Sequence, residues 1–368
     1  MWGSRRRGGG FHISVEEDGF PPEKILIPPY LVIGIKSLLL TLPAPERIAI
    51  VAEKSGGEEI FIRSMSEDNQ AGTSSSCCAS CGIAECDDIK LKECDGCDLV
   101  RYWSDECQQI HQSEHEEACK KRAAELRDEL LFKQPESTHM GDCPICSLPL
   151  PLVGKKSTLF LCCSKVVCNG CRYAHQKRQI EQRLQQSCPF CRELLPETEE
   201  EIDERRMKRV EVKDPVAICR EGGEQRKKGD NIKAFDYFTK AAELGDADAH
   251  YKLPIVYLDG VGVEKDEGKA SHHWEEAAIR GHPVARYNLG WHEGINNKNS
   301  ERAVKHWIIA AAQGHDGSIK ELMKKFREGY VSKEELASAL RAHKTAVDAT
   351  KSPQREVGEQ YFRSMGLM

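Results

Sequence analysis

Eight cysteines between positions 143 and 191 fall into four short-range pairs: Cys143 with Cys146, Cys162 with Cys163, Cys168 with Cys171, and Cys188 with Cys191. Two intervening residues let both sulfurs of a pair turn toward one tetrahedral zinc ion at about 2.3 Å. Eight such ligands make two closed sites, and in so short a segment the metal supplies much of the folding free energy. A second group lies upstream: Cys78 with Cys81, Cys94 with Cys97, then Cys107, then His115 with Cys119. His115 and Cys119 are four residues apart, the spacing that puts two side chains on one helix face. The chemistry offered by both groups is structural metal binding, with three to four Zn2+ ions expected per chain.

Disulfides are the competing use for the 17 cysteines of this 368-residue chain, and they need an oxidising compartment. The N-terminus does not lead there, since Arg5, Arg6 and Arg7 are followed by Gly8 to Gly10 and not by the apolar core of a signal peptide. The apolar run from Ile25 to Leu42 is interrupted by Pro28, Pro29 and Lys36, leaving pieces far short of the roughly 20 residues that span a bilayer. The expectation is a soluble protein of a reducing intracellular compartment, cytoplasmic or nuclear, with no membrane span. A net charge of −6 spread along the chain gives no reason to expect a nucleic-acid partner.

Sixteen of the cysteines lie between Cys77 and Cys191 and only Cys219 lies outside, which divides the chain. Residues 1–76 form a region of unknown role, expected to be partly disordered. It has strand-like pieces at Tyr30–Ile35, Arg47–Ala52 and Glu59–Arg63 and a polar, Ser-rich linker at Ser64–Ser76. Residues 77–134 hold the upstream cysteines and a helix from Asp105 to Phe132, whose mixed charges read as a solvated, ion-paired face. Residues 140–195 hold the eight paired cysteines, with a helix expected from Arg172 to Gln186 and Tyr173, Ile180 and Leu184 along one face. Residues 196–213 read as an exposed linker helix. Cys219 reads as a small buried apolar residue.

The segment 214–345 is repetitive, with 346–368 as a tail. Tyr237–Gly245, His273–Gly281 and His306–Gly314 align without gaps, each with an aromatic residue one turn before an Ala-Ala pair and a glycine after it. Small residues let a second helix approach closely, and glycine ends the first. Helix pairs of this kind stack into an all-α solenoid. The Ala-Ala-x-x-Gly wording, and Tyr257-x-x-Gly260-x-Gly262-Val263, resemble the Sel1-like relatives of the tetratricopeptide repeat.

The order of the eight paired cysteines, with the wording Cys143-Pro-Ile-Cys146 and Cys188-Pro-Phe-Cys191-Arg192, resembles the RING finger family in an all-thiolate (C4C4-like) variant. The resemblance implies a cross-brace: Cys143, Cys146, Cys168 and Cys171 on one ion, Cys162, Cys163, Cys188 and Cys191 on the other. It implies binding of a ubiquitin-conjugating enzyme through Ile145 and Pro189, with Arg192 bridging enzyme and ubiquitin, and no nucleophile from the finger itself. Two such sites carry a formal charge of 2 − 4 = −2 each, which Lys165 and Arg172 are placed to offset. The upstream group, with Ser104-Asp-Glu-Cys107-Gln108, resembles the MYND finger. That implies one site of Cys94, Cys97, His115 and Cys119, and a second of Cys78, Cys81, Cys107 and a cysteine at position 103, where this chain has Trp103. Cys77, Cys86, His111 or water are the candidates for the vacant position. The fold class implied is a pair of small zinc-stabilised cross-brace domains, irregular α+β, followed by the solenoid. The implied function is a RING-type ubiquitin-protein ligase whose MYND finger and repeats bind partners or substrate; the alternative is a non-catalytic zinc-finger and repeat scaffold.

Overall fold

The computed structural model describes residues 11–15, 23–27, 48–53, 59–63, 77–81, 85, 90–296 and 298–367. The pieces at 30–35 and 64–76, and Cys86, lie outside these residues. The chain divides into two units, Met1–Asp128 and Glu129–Met368.

In the first unit, strands β1 (Phe11–Val15), β2 (Glu23–Ile27), β3 (Ile48–Glu53) and β4 (Glu59–Arg63) form an antiparallel sheet in the order β2-β1-β3-β4. Its register sets Ile13 opposite both Ile25 and Ile50, and Val51 opposite Phe61. The β-branched and aromatic residues that favour extended backbone are concentrated in these strands. A two-residue ladder of β5 (Lys92–Glu93) and β6 (Arg101–Tyr102) follows, then helix α1 (Asp105–Leu131). Asp105 and Glu106 sit in the first turn of α1, where carboxylates favour the positive end of the helix dipole.

The second unit begins within the last turn of α1. Residues 140–195 build around β7 (Ser157–Phe160), β8 (Lys165–Cys168) and helix α2 (Asn169–Glu181). Helix α2 starts three residues before the expected Arg172 and stops at Glu181, so Leu184 falls outside it. Ile180 and Leu184 are both exposed, and no buried stripe runs along the expected face. Instead Gln179 is buried, donating to Gln185 O at 2.8 Å and Ser187 Oγ at 2.8 Å, which ties the end of α2 to the last cysteine loop.

The linker helix α3 is observed at Glu199–Glu211. It is not simply exposed. Arg206 is 5% exposed and donates to Glu221 Oε2 at 2.6 Å, an ion pair buried against the first repeat helix. Eight helices then run in alternating pairs: α4 (Pro215–Lys227), α5 (Asn231–Glu243), α6 (Ala247–Asp259), α7 (Glu267–Ile279), α8 (Pro283–Ile295), α9 (Ser300–Ala312), α10 (Asp316–Arg327) and α11 (Lys333–Ala349). Each has an N-cap side chain accepting a backbone N–H, from Asp214 through Ser332. Such caps satisfy donors that the helix cannot. The aromatic residues of the repeat, Phe238, Trp274 and Trp307, are buried with their Ala-Ala pairs Ala241–Ala242, Ala277–Ala278 and Ala310–Ala311. Gly245, Gly281 and Gly314 follow with φ of 86°, 79° and 90°, a left-handed conformation in which a Cβ is strained.

The expected C-terminal tail contains helix α12 (Pro353–Ser364), which returns to pack against α2.

Candidate metal centres and their supports

Two loops of the same sequence wording adopt the same geometry. Cys143 N–H bonds to Leu148 O, and Ser147 N–H to Cys143 O at 2.9 Å; forty-five residues on, Cys188 N–H bonds to Glu193 O, and Arg192 N–H to Cys188 O at 2.9 Å. Ser147 and Arg192 both have positive φ, 52° and 66°, which lets each chain double back beneath its pair of sulfurs. Strand β8 delivers Cys168 at the N-cap of α2, and the first turn of α2 delivers Cys171, whose N–H bonds to Cys168 Sγ at 3.5 Å. The adjacent pair Cys162 and Cys163 sits in the tight turn after β7.

The structure gathers these side chains as interleaved quartets. Cys143, Cys146, Cys168 and Cys171 form one, Cys162, Cys163, Cys188 and Cys191 the other, with the ligand atoms of each within 4.8 Å of one another. In the first unit, Cys94, Cys97, His115 and Cys119 form a third quartet, and Cys78, Cys81 and Cys107 a group of three. Helix α1 aligns Cys107, His111, His115 and Cys119 at four-residue intervals. The spacings suit zinc. Four sulfurs at about 2.3 Å from a tetrahedral centre are about 3.8 Å apart. The observed separations are 3.8 Å for Cys146–Cys168 and for Cys163–Cys188, and 3.7 Å for Cys94–Cys119. Cys162–Cys191, at 3.3 Å, is tighter.

Burial, mutual repulsion and hydrogen bonding split the ionisation of these thiols, raising some and lowering others such as Cys94 and Cys191. Burial, then the sulfurs of Cys94 and Cys97, push the Cys119 thiol up to about 12. Burial and the neighbouring Cys188 push Cys163 up to about 11. Thiols so placed cannot all carry charge at neutral pH unless a cation lies among them, and metal binding is coupled to their deprotonation.

At position 103 the indole is 47% exposed, while the group of three holds neither Cys77 nor His111 among the described residues. His111 Nδ1 is engaged with Tyr102 Oη at 3.1 Å. The expected charge partners also fall elsewhere. Arg172 donates to Thr158 Oγ1 at 2.9 Å and lies over the Phe362 ring at 4.4 Å, and Lys165 is exposed. A cation that does reach a quartet sulfur is Arg355 of α12, whose Nη2 is 3.3 Å from Cys146 Sγ. Nothing local to the cysteines could have announced it. Tyr173 packs on Tyr361 of α12, ring centroids 4.7 Å apart. Ile145 is 44% exposed, Arg192 is exposed, and Pro189 is half-buried.

A further grouping of metal-type side chains joins His139, Asp248 and His282. Its hydrogen bonds account for it without an ion. His282 Nδ1 accepts the Ala285 N–H at 3.1 Å, so the ring proton sits on Nε2, which faces Asp248 Oδ1 at 3.3 Å. His139 Nε2 shares that oxygen at 3.4 Å. Burial opposes the Asp248 charge, but these two imidazoles outweigh it and hold the carboxyl well below its usual range. Arg286, 0% exposed, is another support invisible in the sequence: its guanidinium donates to Leu131 O, and to Ala278 O at 2.8 Å. Burial pushes it down to about 10. Cys219 is buried as expected, with Lys252 Nζ 3.4 Å from its sulfur.

The Sel1 repeat family model matches residues 216–246, 247–282 and 283–315. Residues 216–315 are Sel1 repeats. Solved structures similar to the chain include a Sel1 repeat protein from Oxalobacter formigenes, at 20% identity and TM-score 0.36, covering 42% of this chain and 66% of that one. Another is a protective antigen of uropathogenic Escherichia coli displaying an SLR fold, at 26% identity and TM-score 0.34, covering 44% of this chain and 36% of that one. This chain thus spans less than two thirds of either. No curated protein matches it. Sel1 repeats imply a protein-interaction scaffold, and the quartets are groups that could hold metal ions, consistent with zinc. Among the described residues no helix is long and apolar enough to cross a membrane.

Proposed function

We propose that the chain is a RING-type ubiquitin-protein ligase, in which residues 140–195 position a ubiquitin-conjugating enzyme while a MYND-type finger and the Sel1 repeats hold substrate or partner proteins. The observation that carries this reading is the interleaving of the quartets, first pair with third and second with fourth. Zinc, held by Cys143, Cys146, Cys168 and Cys171 and by Cys162, Cys163, Cys188 and Cys191, would supply folding stability and leave no open coordination position. Ile145 and Arg192 are exposed on the two equivalent cysteine loops, where an apolar and a cationic contact can meet a partner. Such a surface acts by holding reactants in a productive pose and contributes no nucleophile.

The chain is to be incubated with activating enzyme, a panel of conjugating enzymes, ubiquitin and ATP. Self-modification that falls at least about tenfold in Ile145→Ala and Arg192→Ala, the size expected for loss of more than about 1.4 kcal/mol of contact energy, supports the ligase. A zinc-loaded, folded chain that ligates with no conjugating enzyme is a scaffold instead. The half-burial of Pro189 and the three-ligand group at Cys78, Cys81 and Cys107 are the features that favour that second reading.

A further inference from the structure

Helix α12 meets the first quartet with two consecutive side chains. Arg355 is 3% exposed. Its Nη2 donates to Cys146 Sγ at 3.3 Å and Leu148 O at 2.9 Å, and its Nη1 to Pro149 O at 2.6 Å and Thr350 O at 2.8 Å. Gln354 Nε2 donates to Gly170 O at 3.3 Å and lies 3.8 Å from Cys171 Sγ. One sulfur from each half of the quartet is therefore bonded from α12, and so is the backbone beside each. The approach is made possible by two glycines. A Cβ on Gly170 would lie 2.7 Å from Arg355 Cα, and one on Gly358 would lie 2.6 Å from Asn169 O. Lys156 pairs with Glu359 at 3.0 Å, and the buried Phe362 ring receives Arg172. The second quartet draws a donor from its own loop, the Phe190 N–H, 3.4 Å from Cys188 Sγ.

We propose that Arg355, seconded by Gln354, is the positioning and charge-compensating residue of the first thiol centre, so that retention of its metal depends on a helix 183 to 209 residues downstream of the sulfurs it touches. The inference rests on the metal reading given above. Four thiolates around a divalent ion leave a charge of −2, and a fixed guanidinium on one of the sulfurs offsets part of it. It also holds Cys146 in place through the carbonyls that follow it. Groups of this kind, one shell beyond the metal, set its affinity by about 10–100-fold.

The test uses the full-length zinc-loaded chain. A chelator pulse is followed by iodoacetamide, and each cysteine is scored by mass spectrometry. In Arg355→Leu, alkylation of Cys143, Cys146, Cys168 and Cys171 should quicken by about 10–100-fold, while Cys162, Cys163, Cys188 and Cys191 keep the wild-type rate. Arg355→Lys, which keeps the charge and loses the fork, and Gln354→Ala should shift the same four cysteines by less. These milder variants carry the test if Arg355→Leu loses its solenoid circular dichroism. A first quartet indifferent to all three substitutions, in a chain that holds zinc, overturns this inference alone. Equal quickening of both quartets in a folded Arg355→Lys chain overturns it too, because the contact is then general support. A wild-type chain that holds no zinc overturns the metal reading and this inference with it.

Discussion

Acid should loosen the solenoid, and His282 gives the size of the effect. It is buried, it spends Nδ1 on the Ala285 N–H that caps α8, and burial holds it down to about 4 from its ordinary 6.5. The groups that face it are Asp248, His139, Lys252 and the Tyr251 ring. A proton on Nδ1 would remove the cap acceptor, so the folded chain resists protonation that the unfolded chain accepts. This contribution to stability is present above pH 6.5, is lost as pH falls through the window from 6.5 to 4, and levels off below pH 4. For pKa values of 6.5 and about 4, linkage gives about 2 kcal/mol lost at pH 5 and about 3 kcal/mol at pH 4 from this residue alone. His250 and His273, each at about 4 through burial, add to the same slope. Urea unfolding of the metal-loaded chain, followed through the buried Trp274 and Trp307, should be run between pH 7.5 and pH 5. The control is His282→Asn. Asparagine caps well, as Asn299 does for α9, and does not titrate. The variant should lose about 2 kcal/mol less than wild type between those pH values. Parallel pH slopes in the two chains would refute the argument that His282 is held neutral by its cap and burial.

Glu221→Ala removes the buried partner of Arg206 (the two are 3% and 5% exposed) and leaves the guanidinium only Asp203, at 2.6 Å on the exposed side. It should cost about 1.5–3 kcal/mol in chemical denaturation, the size of a lost charged hydrogen bond, whereas Lys208→Ala, on an exposed pair with Glu204, should cost under about 1 kcal/mol. Trp103→Cys restores a fourth sulfur beside Cys78, Cys81 and Cys107. Elemental analysis should then read one more tightly held zinc per chain than wild type, and an unchanged count would show that position 103 does not reach that group.

Much of the arrangement could be read directly from short-range spacing. The four cysteine pairs are local words, but that Cys143 groups with Cys168 and Cys162 with Cys188 is implied only by the RING resemblance, since spacing alone equally allows sequential pairing. Helix α6, α8 and α10 follow the Ala-Ala-x-x-Gly words because each glycine fixes where one helix stops and the next begins. What escaped has a different physical origin. Arg355 and Arg286 act on backbone carbonyls and a sulfur from more than 150 residues away, and a guanidinium aimed at a carbonyl leaves no periodic trace. Arg206 stood among Glu204, Arg205 and Lys208 like any solvated charge, and only the packing of α3 on α4 singled it out. His282 and His315 occupy the cap position that Asp246 fills one repeat earlier. The shared position after each glycine is the signal, masked by histidine's rarity as a cap. Tyr173 lies in α2 as its spacing implies and packs on Tyr361 of α12, but the helix expected to run to Gln186 ends at Glu181.

The bond from Arg286 to Leu131 O also has a meaning in time. The two residues are 155 positions apart. At about 5–20 residues per second of synthesis, roughly 8–30 s pass between the making of that carbonyl and the arrival of its donor. Until Trp274, Ala277 and Ala278 are made, late in that interval, Leu131 has none of its repeat partners to rest on. Leu131 and Phe132 are apolar surface that waits for a partner made more than a hundred residues later.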